Sequence, residues 1–542
     1  MVATNRLRQR AARAVTVVAS LAAATFLAAS PAHAQARHAE GTVHPAPHSP
    51  LRGFDAYVAK GMKEWQVPGI AVGVVHGDSI VLLEGYGVRT TGRPERVDSR
   101  TVFPIASDTK AFTGILMAML ADRGRIDWDD PVAEHLPEFQ LYDSSATREL
   151  TIRDLLTHST GLARADLLWT AGYGYTTSEA LRRVRYLKPT WSPGTHFGYN
   201  NVMYGAAGQV IAHASGESWS QMLRARIFRP LGMTCSNTSV KTLASLRDVA
   251  TPHALVDGAV RTEPYLDVDM IPAAAAINSC AADMVKWLQF QLDSGRVRGR
   301  RLVSARNFRE THIPRLAMPM DPVYRAINPA TNLRSYAIGW TVQDYHGHEM
   351  LSHPGDISGM ASTVGILPEK RLGVVILSNL EDQELRESLM YWIFDRYLGA
   401  PRKDWSAVTL AVHRRADSAD AANERVLQAT RVRGTHPSHP LAQYAGTYVD
   451  SLYGTSKVRL ENGHLVFEIT PTMIGDLEHW QYDIFRVTWR DHRNGKEFVR
   501  FDLDPTTARV TTLQEMPEIG EPVEEVPVWS RTEAPPSGRG GR

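Results

Sequence analysis

Residues Pro104–Gly114 read PIASDTKAFTG, and the pairing of Ser107 with Lys110 decides how the rest of the chain is understood. No other lysine follows a serine at that spacing. Behind the pair come Ala111, Phe112, Ile115, Leu116, Met117, Met119 and Leu120, apolar nearly all the way round until Arg123 and Gly124. A helix of that composition belongs inside a domain. Ser107, Asp108 and Thr109 are all residue types that start helices. A serine on the first turn and a lysine one turn later point to the same side. Lys110 is therefore expected at the mouth of a buried helix, within reach of Ser107. Burial favours the uncharged amine, and a move from about 10.4 to about 7 corresponds to roughly 4–5 kcal/mol. A neutral amine can take the serine proton as the hydroxyl attacks a carbonyl. The helix N-terminus adds N–H groups and positive potential where an oxyanion develops. The other reading of Ser-x-x-Lys is a capping serine beside an exposed lysine, so further segments must decide.

The chain has 542 residues, 43% apolar and 22% charged, which describes a globular protein with room for several domains. Its net charge of +2 lacks the excess that argues for a nucleic-acid partner. Residues 1–34 read as a secretory signal. Arg6, Arg8, Arg10 and Arg13 precede an apolar run from Ala14 to Ala29, and Ala32-His33-Ala34 offers small residues for cleavage near Ala34. The expected location is the periplasm or outside the cell, with no stable membrane span after removal; an uncleaved anchor is the other reading. Cys235 and Cys280 are the only cysteines. They read as two small buried apolar residues, although export would permit a bridge.

A globular pattern starts near Leu51. GIAVGVVHGDSIVLLEGYG (Gly69–Gly87) reads as two strands joined at His76-Gly77-Asp78, and GMASTVGILPEKRLGVVILSN (Gly359–Asn379) as two more joined at Pro368-Glu369-Lys370. RESLMYWIFDRYLG (Arg386–Gly399) reads as an amphipathic helix closing the unit. Strands at both ends with helices between predict an α/β or α+β domain over residues 45–400, an antiparallel sheet flanked by helices plus a mostly helical region. Residues 401–440 read as a linker containing a helix. Over 441–530 the period falls to two, with an Asn462-Gly463 turn, so a separate small antiparallel β-barrel or half-barrel is expected. Residues 531–542 read as a disordered tail.

Two later segments bear on Ser107 and Lys110. WSPGTHFGYNNVMYGAAGQVIAHASG (Trp191–Gly216) carries Tyr199 and Asn201 before a small-residue helix; by itself it reads as an asparagine cap, Asn200 or Asn201, with a packed tyrosine. MLSHPGDISGM (Met350–Met360) carries His353, Pro354 and Gly355 and by itself reads as a turn with a histidine. In this order and spacing, Ser-x-x-Lys, Tyr-x-Asn and His-x-Gly resemble the serine β-lactamase and penicillin-binding-protein superfamily, above all its class-C-like hydrolases. LTIRDLLTHSTGL (Leu150–Leu162), DWDDPVAEHLPEF (Asp127–Phe139) and PLGM (Pro230–Met233) are similar to that family too. The C-terminal β module resembles the lipocalin-like domain appended to some self-compartmentalising peptidases of the superfamily.

The resemblance implies Ser107 as nucleophile, Lys110 as its proton acceptor, and Tyr199 as proton shuttle and then base for the deacylating water. It implies Asn201 orienting Lys110 and the substrate carbonyl, the backbone N–H groups of Ser107 and Asp356 as oxyanion hole, and His353 and Gly355 on the strand beside an extended substrate. Three residues depart from the family pattern. His353 stands where many β-lactamases carry lysine, and a mostly neutral imidazole holds a carboxylate less firmly. Pro354 lacks the hydroxyl usual there, and Asp356 brings a negative side chain near the oxyanion. These changes lean toward peptides, amides or esters. The expectation is an exported peptidase acting through an acyl-serine on a small-molecule or peptide substrate, with D-residues among its targets, no metal and no cofactor. Esterase or weak β-lactamase action, or a non-catalytic binding protein of the same fold, are the alternatives. His158 reads as structural, and the histidines at 346 and 348 lack metal-ligand spacing. By analogy the β module caps the site's mouth or builds a homo-oligomer.

Overall fold

The structure, a computed structural model, describes residues 41–46, 48–381, 383–516 and 526–532. The expected signal (1–34) and the tail beyond residue 532 lie outside the described residues.

Eight strands form one antiparallel sheet. They are β1 (Gly69–His76), β2 (Ser79–Gly87), β3 (Leu316–Ala317), β4 (Arg334–Tyr336), β5 (Thr341–Tyr345), β6 (His348–Ile357), β7 (Met360–Leu367) and β8 (Leu372–Ser378), in the order β2-β1-β8-β7-β6-β5-β4-β3. Distant parts of the chain meet at β1 and β8, where Val74 pairs with Val374. Alternate strand residues face opposite ways. Ile70, Val72 and Val74 pack toward α1 (Phe54–Trp65) and α5 (Leu385–Leu398), whereas Ala71 and Val75 pack on the side of α4 (Ala281–Leu292). A helical lobe holds α2 (Thr109–Ala121) and α3 (Asn201–Ser215). Every residue of α2 from Thr109 to Leu120 is buried. The hydroxyl of Thr113 is satisfied there by donating to the Ala273 carbonyl and accepting from the Trp219 indole.

Two expectations change. Helix α5 is not amphipathic: Leu385, Arg386 and Ser388–Asp395 are all buried, because the helix lies between the sheet and α6 (Trp405–Thr430). Cys235 and Cys280 are not two packed thiols but a disulfide, with Cα atoms 6.0 Å apart across 45 residues of sequence. An antiparallel bridge between Asn237 and Asn278 draws the two segments together, a pairing that local sequence does not reveal.

The C-terminal module is a closed barrel of eight antiparallel strands: β9 (Gly446–Asp450), β10 (Gly454–Glu461), β11 (His464–Thr470), β12 (Met473–Gln481), β13 (Ile484–Trp489), β14 (Lys496–Leu503), β15 (Val510–Met516) and β16 (Val528–Arg531). Tyr448, Phe467, Phe485, Phe501 and Trp529 are among its buried aromatics. The segment read as a linker is mostly α6, anchored at both ends. Trp405 donates to Asp395 (2.6 Å) on the hydrolase side, and Arg486 of the barrel grips Glu424 through two 2.7 Å bonds. Among the described residues no helix is long and apolar enough to cross a membrane.

Candidate active site

Ser107 sits on a single 3-10 turn, Ala106–Asp108, immediately before α2. Ala106 carries a φ of 43°, the left-handed region that side-chain-bearing residues avoid, so the turn presenting the serine is held in place by its surroundings. None of Ser107, Asp108 or Thr109 caps the helix as expected. The Asp108 carboxyl is buried and meets the Ser362 hydroxyl at 2.7 Å, and the Thr109 hydroxyl accepts from the Ile277 amide. Gly355 is needed behind the turn, since a Cβ there would lie 2.3 Å from the Ile105 carbonyl oxygen. It lets β6 approach the nucleophile turn closely.

The Lys110 side chain is wholly buried. Its Nζ lies 2.9 Å from Ser107 Oγ, 2.8 Å from Asn201 Oδ1 and 3.2 Å from the Ala274 carbonyl oxygen. Desolvation holds this amine well below the ordinary lysine range, with the charge of Arg164 adding to the effect and Asp166 and Asp108 opposing it. A neutral amine has two N–H bonds and one lone pair. The Ala274 carbonyl and Asn201 Oδ1 can only accept, so they take both N–H bonds and leave the lone pair for the Ser107 proton. The Asn201 orientation is fixed in turn, because its Nδ2 donates to Asp166 Oδ1 at 3.2 Å. Asn200, not Asn201, caps α3, accepting from the amides of Val202 and Met203 and so freeing Asn201 to face the lysine.

Tyr199 completes the constellation, its hydroxyl donating to Ser107 Oγ at 2.9 Å. Burial raises its pKa well above the usual tyrosine value, so the resting side chain is a neutral phenol and Lys110 is the base of the pair. His158 packs 4.2 Å from the Tyr199 ring, centroid to centroid, and its Nδ1 accepts from the Asn200 amide. Buried and kept neutral by desolvation, it supports the tyrosine segment from behind, the structural role read from the sequence.

A cleft of about 360 Å³ opens in front of Ser107, lined among others by Arg164, Trp169, Phe197, Tyr199, Asn201, Tyr336, His353, Pro354 and Asp356. His353 lies within β6 rather than in a turn. Its Nδ1 donates to the Pro354 carbonyl at 2.6 Å, so its Nε2 accepts from the Tyr336 hydroxyl at 2.9 Å. Desolvation, with Lys110 adding, pushes its pKa down to about 3. A neutral ring with both nitrogens engaged offers a substrate carboxylate no charge. The pH–rate profile should therefore show no imidazole step between pH 5 and 8. Tyr336→Phe should leave Nε2 buried without a donor and cost about 1–3 kcal/mol in urea unfolding. A wild-type step near pH 6.5 that His353→Gln removes would contradict this assignment.

Asp356, whose side chain is 58% exposed, is gripped by both terminal nitrogens of the buried Arg386, which also bonds Glu387. The charge that sequence reading set near the oxyanion is thus neutralised from a helix thirty residues later. Beyond Ser352, which pairs with Thr341, no residue of β5 pairs with β6; along that stretch Pro354 has no N–H, its carbonyl accepts from His353 Nδ1, and the Gly355 carbonyl accepts from Arg386. Asp166, Tyr336 and Arg386 carry no motif and were not found from sequence. Asp166 accepts from Arg164 Nε (2.6 Å), the Trp169 indole (2.7 Å) and Asn201, and is the hub behind the lysine.

Residues 54–396 match the family model described as Beta-lactamase, and residues 430–521 match one described as a domain of unknown function, DUF3471. The unguisins hydrolase of Aspergillus violaceofuscus is 29% identical over 444 residues, covering 76% of this chain and 77% of that protein. The octameric penicillin-binding protein homologue from Pyrococcus abyssi shares the fold with a TM-score of 0.59 at 19% identity, over 88% of this chain and 99% of that one. A class C β-lactamase from Rhodobacter sphaeroides gives 0.52 at 21% identity, over 64% and 99%. With one family model spanning the sheet, the helical lobe and the segments bearing Ser107, Lys110 and Tyr199, the chain belongs to the β-lactamase family and is a serine hydrolase of that fold.

Proposed function

We propose that the protein is an exported hydrolase that cleaves amide bonds, in preference to esters, through an acyl-Ser107 intermediate. The observation that carries this is the placement of Ser107 Oγ 2.9 Å from both a buried, charge-depleted lysine amine and a tyrosine hydroxyl. As Oγ attacks the substrate carbonyl, Lys110 takes its proton. The oxyanion is met by the backbone N–H groups of Ser107 and Asp356, each such donor worth about 3–4 kcal/mol. Tyr199 gives its proton to the departing amine as the C–N bond breaks and is reprotonated from Lys110. Water then attacks the acyl carbonyl, giving up a proton to the same pair, and Ser107 Oγ leaves reprotonated.

Peptides are favoured for two reasons. Beyond Ser352 β6 is not covered by β5, which leaves room for an extended backbone to lie beside it in the cleft. His353 supplies no fixed cation where a β-lactam carboxylate is held in many relatives. The name of the fungal relative, a hydrolase, supports hydrolysis without defining the substrate here. Export is supported by the signal-like start and by the disulfide, which oxidising compartments favour. A panel of D- and L-aminoacyl amides, short esters and nitrocefin, each run against Ser107→Ala, tests the reading. Amide turnover exceeding ester and nitrocefin turnover is expected, and the D/L ratio reads stereochemistry. Ester hydrolysis with no amide turnover would overturn the peptidase assignment.

A further inference from the structure

The barrel meets the hydrolase domain through one of its ends. The β9–β10, β11–β12 and β13–β14 turns share that end by strand alternation. From them Ser451 and Leu452 accept from Arg183, Thr470 and Thr472 donate to the Ala171 carbonyl, and His492 faces Glu263 at 3.2 Å. The opposite end is occupied by the chain leaving α6, where Ser438 bonds Asp483 and Arg431 bonds the carbonyls of His479 and Trp480.

The segment under the first of these ends is the wall of the cleft. From Ala163 to Tyr175 its only helix is one turn, Leu167–Thr170. Arg164, Asp166 and Trp169 stand at its cleft end, and Ala171, Gly172 and Tyr175 at its barrel end. At Gly172 φ is +75°, and a Cβ there would lie 2.3 Å from Thr472 Oγ1, so the barrel tip seats directly on the backbone. The Tyr175 ring is held between the stacked Tyr173 (4.8 Å) and the Arg183 guanidinium (4.4 Å), whose Nη1 reaches the barrel carbonyls. From this segment one continuous path of bonds leads inward: Asp166 to Asn201 Nδ2, and Asn201 Oδ1 to Lys110 Nζ.

We infer that the C-terminal barrel is a clamp that positions the catalytic lysine, with Thr470 and Thr472 as positioning residues acting through Ala171, Asp166 and Asn201. A four-residue helix with flanking loops has little rigidity of its own. Misplacing a supporting group by about 1 Å can cost a reaction up to about a hundredfold. The barrel's turns fix the segment whose Asp166 orients Asn201, and through it the direction of the Lys110 lone pair. This inference rests on the reading of Ser107 and Lys110 given above.

The test is a double-mutant cycle on the full-length protein. Thr470→Val with Thr472→Val keeps side-chain shape and removes both hydroxyls. The rate of Ser107 labelling by a fluorophosphonate should fall about tenfold. In an Asp166→Ala background the same pair should change the rate less than about twofold, because the acceptor for Asn201 Nδ2 is gone and the path is already cut. A purely structural role would give equal factors in both backgrounds, and that result overturns the clamp. Hydrogen exchange over residues 163–175 reads the same device without turnover: faster exchange in the Thr470→Val/Thr472→Val protein is expected, and unchanged exchange contradicts it. If the native protein takes no label at Ser107, the hydrolase reading fails, while the exchange experiment still decides the clamp.

Discussion

Ser107→Ala should lower hydrolysis by about 10⁴-fold or more and abolish covalent labelling, with the fold intact. The side chain removed is the one that both Lys110 and Tyr199 address. Lys110 keeps its bonds to Asn201 and the Ala274 carbonyl, so the site loses its nucleophile without losing its framework. Intact-mass analysis after treatment with a fluorophosphonate gives the result directly. A mass gain in the native protein that is absent from Ser107→Ala is expected. A native protein that takes no label would favour the alternative of a binding protein that keeps the fold without the chemistry.

The second large effect is at the lysine. Lys110→Met should lower kcat/KM by about 10²–10⁴-fold, the usual contribution of a general base. The sign of the accompanying pH dependence follows from burial. Only the neutral amine can accept the serine proton, so activity is present above the Lys110 pKa and lost as pH falls through it. Desolvation has moved that pKa well below the ordinary lysine range, which brings the acid limb down with it. Stability runs in the same direction. The unfolded chain holds the lysine proton up to about pH 10.4 and the folded chain releases it earlier. Stability therefore rises with pH between the folded and unfolded values, and the lysine's contribution is least favourable below the folded value. Urea unfolding of native and Lys110→Met proteins across that window should differ in slope, the native protein alone gaining from this residue as pH increases. Parallel curves would show that the amine titrates alike in both states.

Much of this was legible in the sequence where the signal is local. Two-residue periodicity around Gly77-Asp78 and Asn462-Gly463 marked hairpins that form as read. The apolar run behind Lys110 placed the lysine inside the protein, since no charged residue follows it before Asp122. Local reading failed where partners come from elsewhere in the chain. Taken alone, His353-Pro354-Gly355 resembles a turn because proline and glycine adjoin, yet it runs as strand, paired along β7, with Pro354 opposite Thr363. Asp356 looked unfavourable until Arg386 was placed beside it. Asp166 has no motif because it acts through Asn201, 35 residues away, and it lies in a segment whose Ala171 carbonyl is bonded by a barrel residue 299 positions further on. The cysteines showed the same limit: spacing alone gave two packed thiols, and the fold joined them.

The most direct test of the account is the titration of the Lys110 amine in the folded protein, followed by NMR of the lysine side chains with Lys110→Met supplying the assignment. The account predicts a midpoint far below the value of about 10.4 usual for lysine. A Lys110 that stays charged until about pH 10 would contradict it.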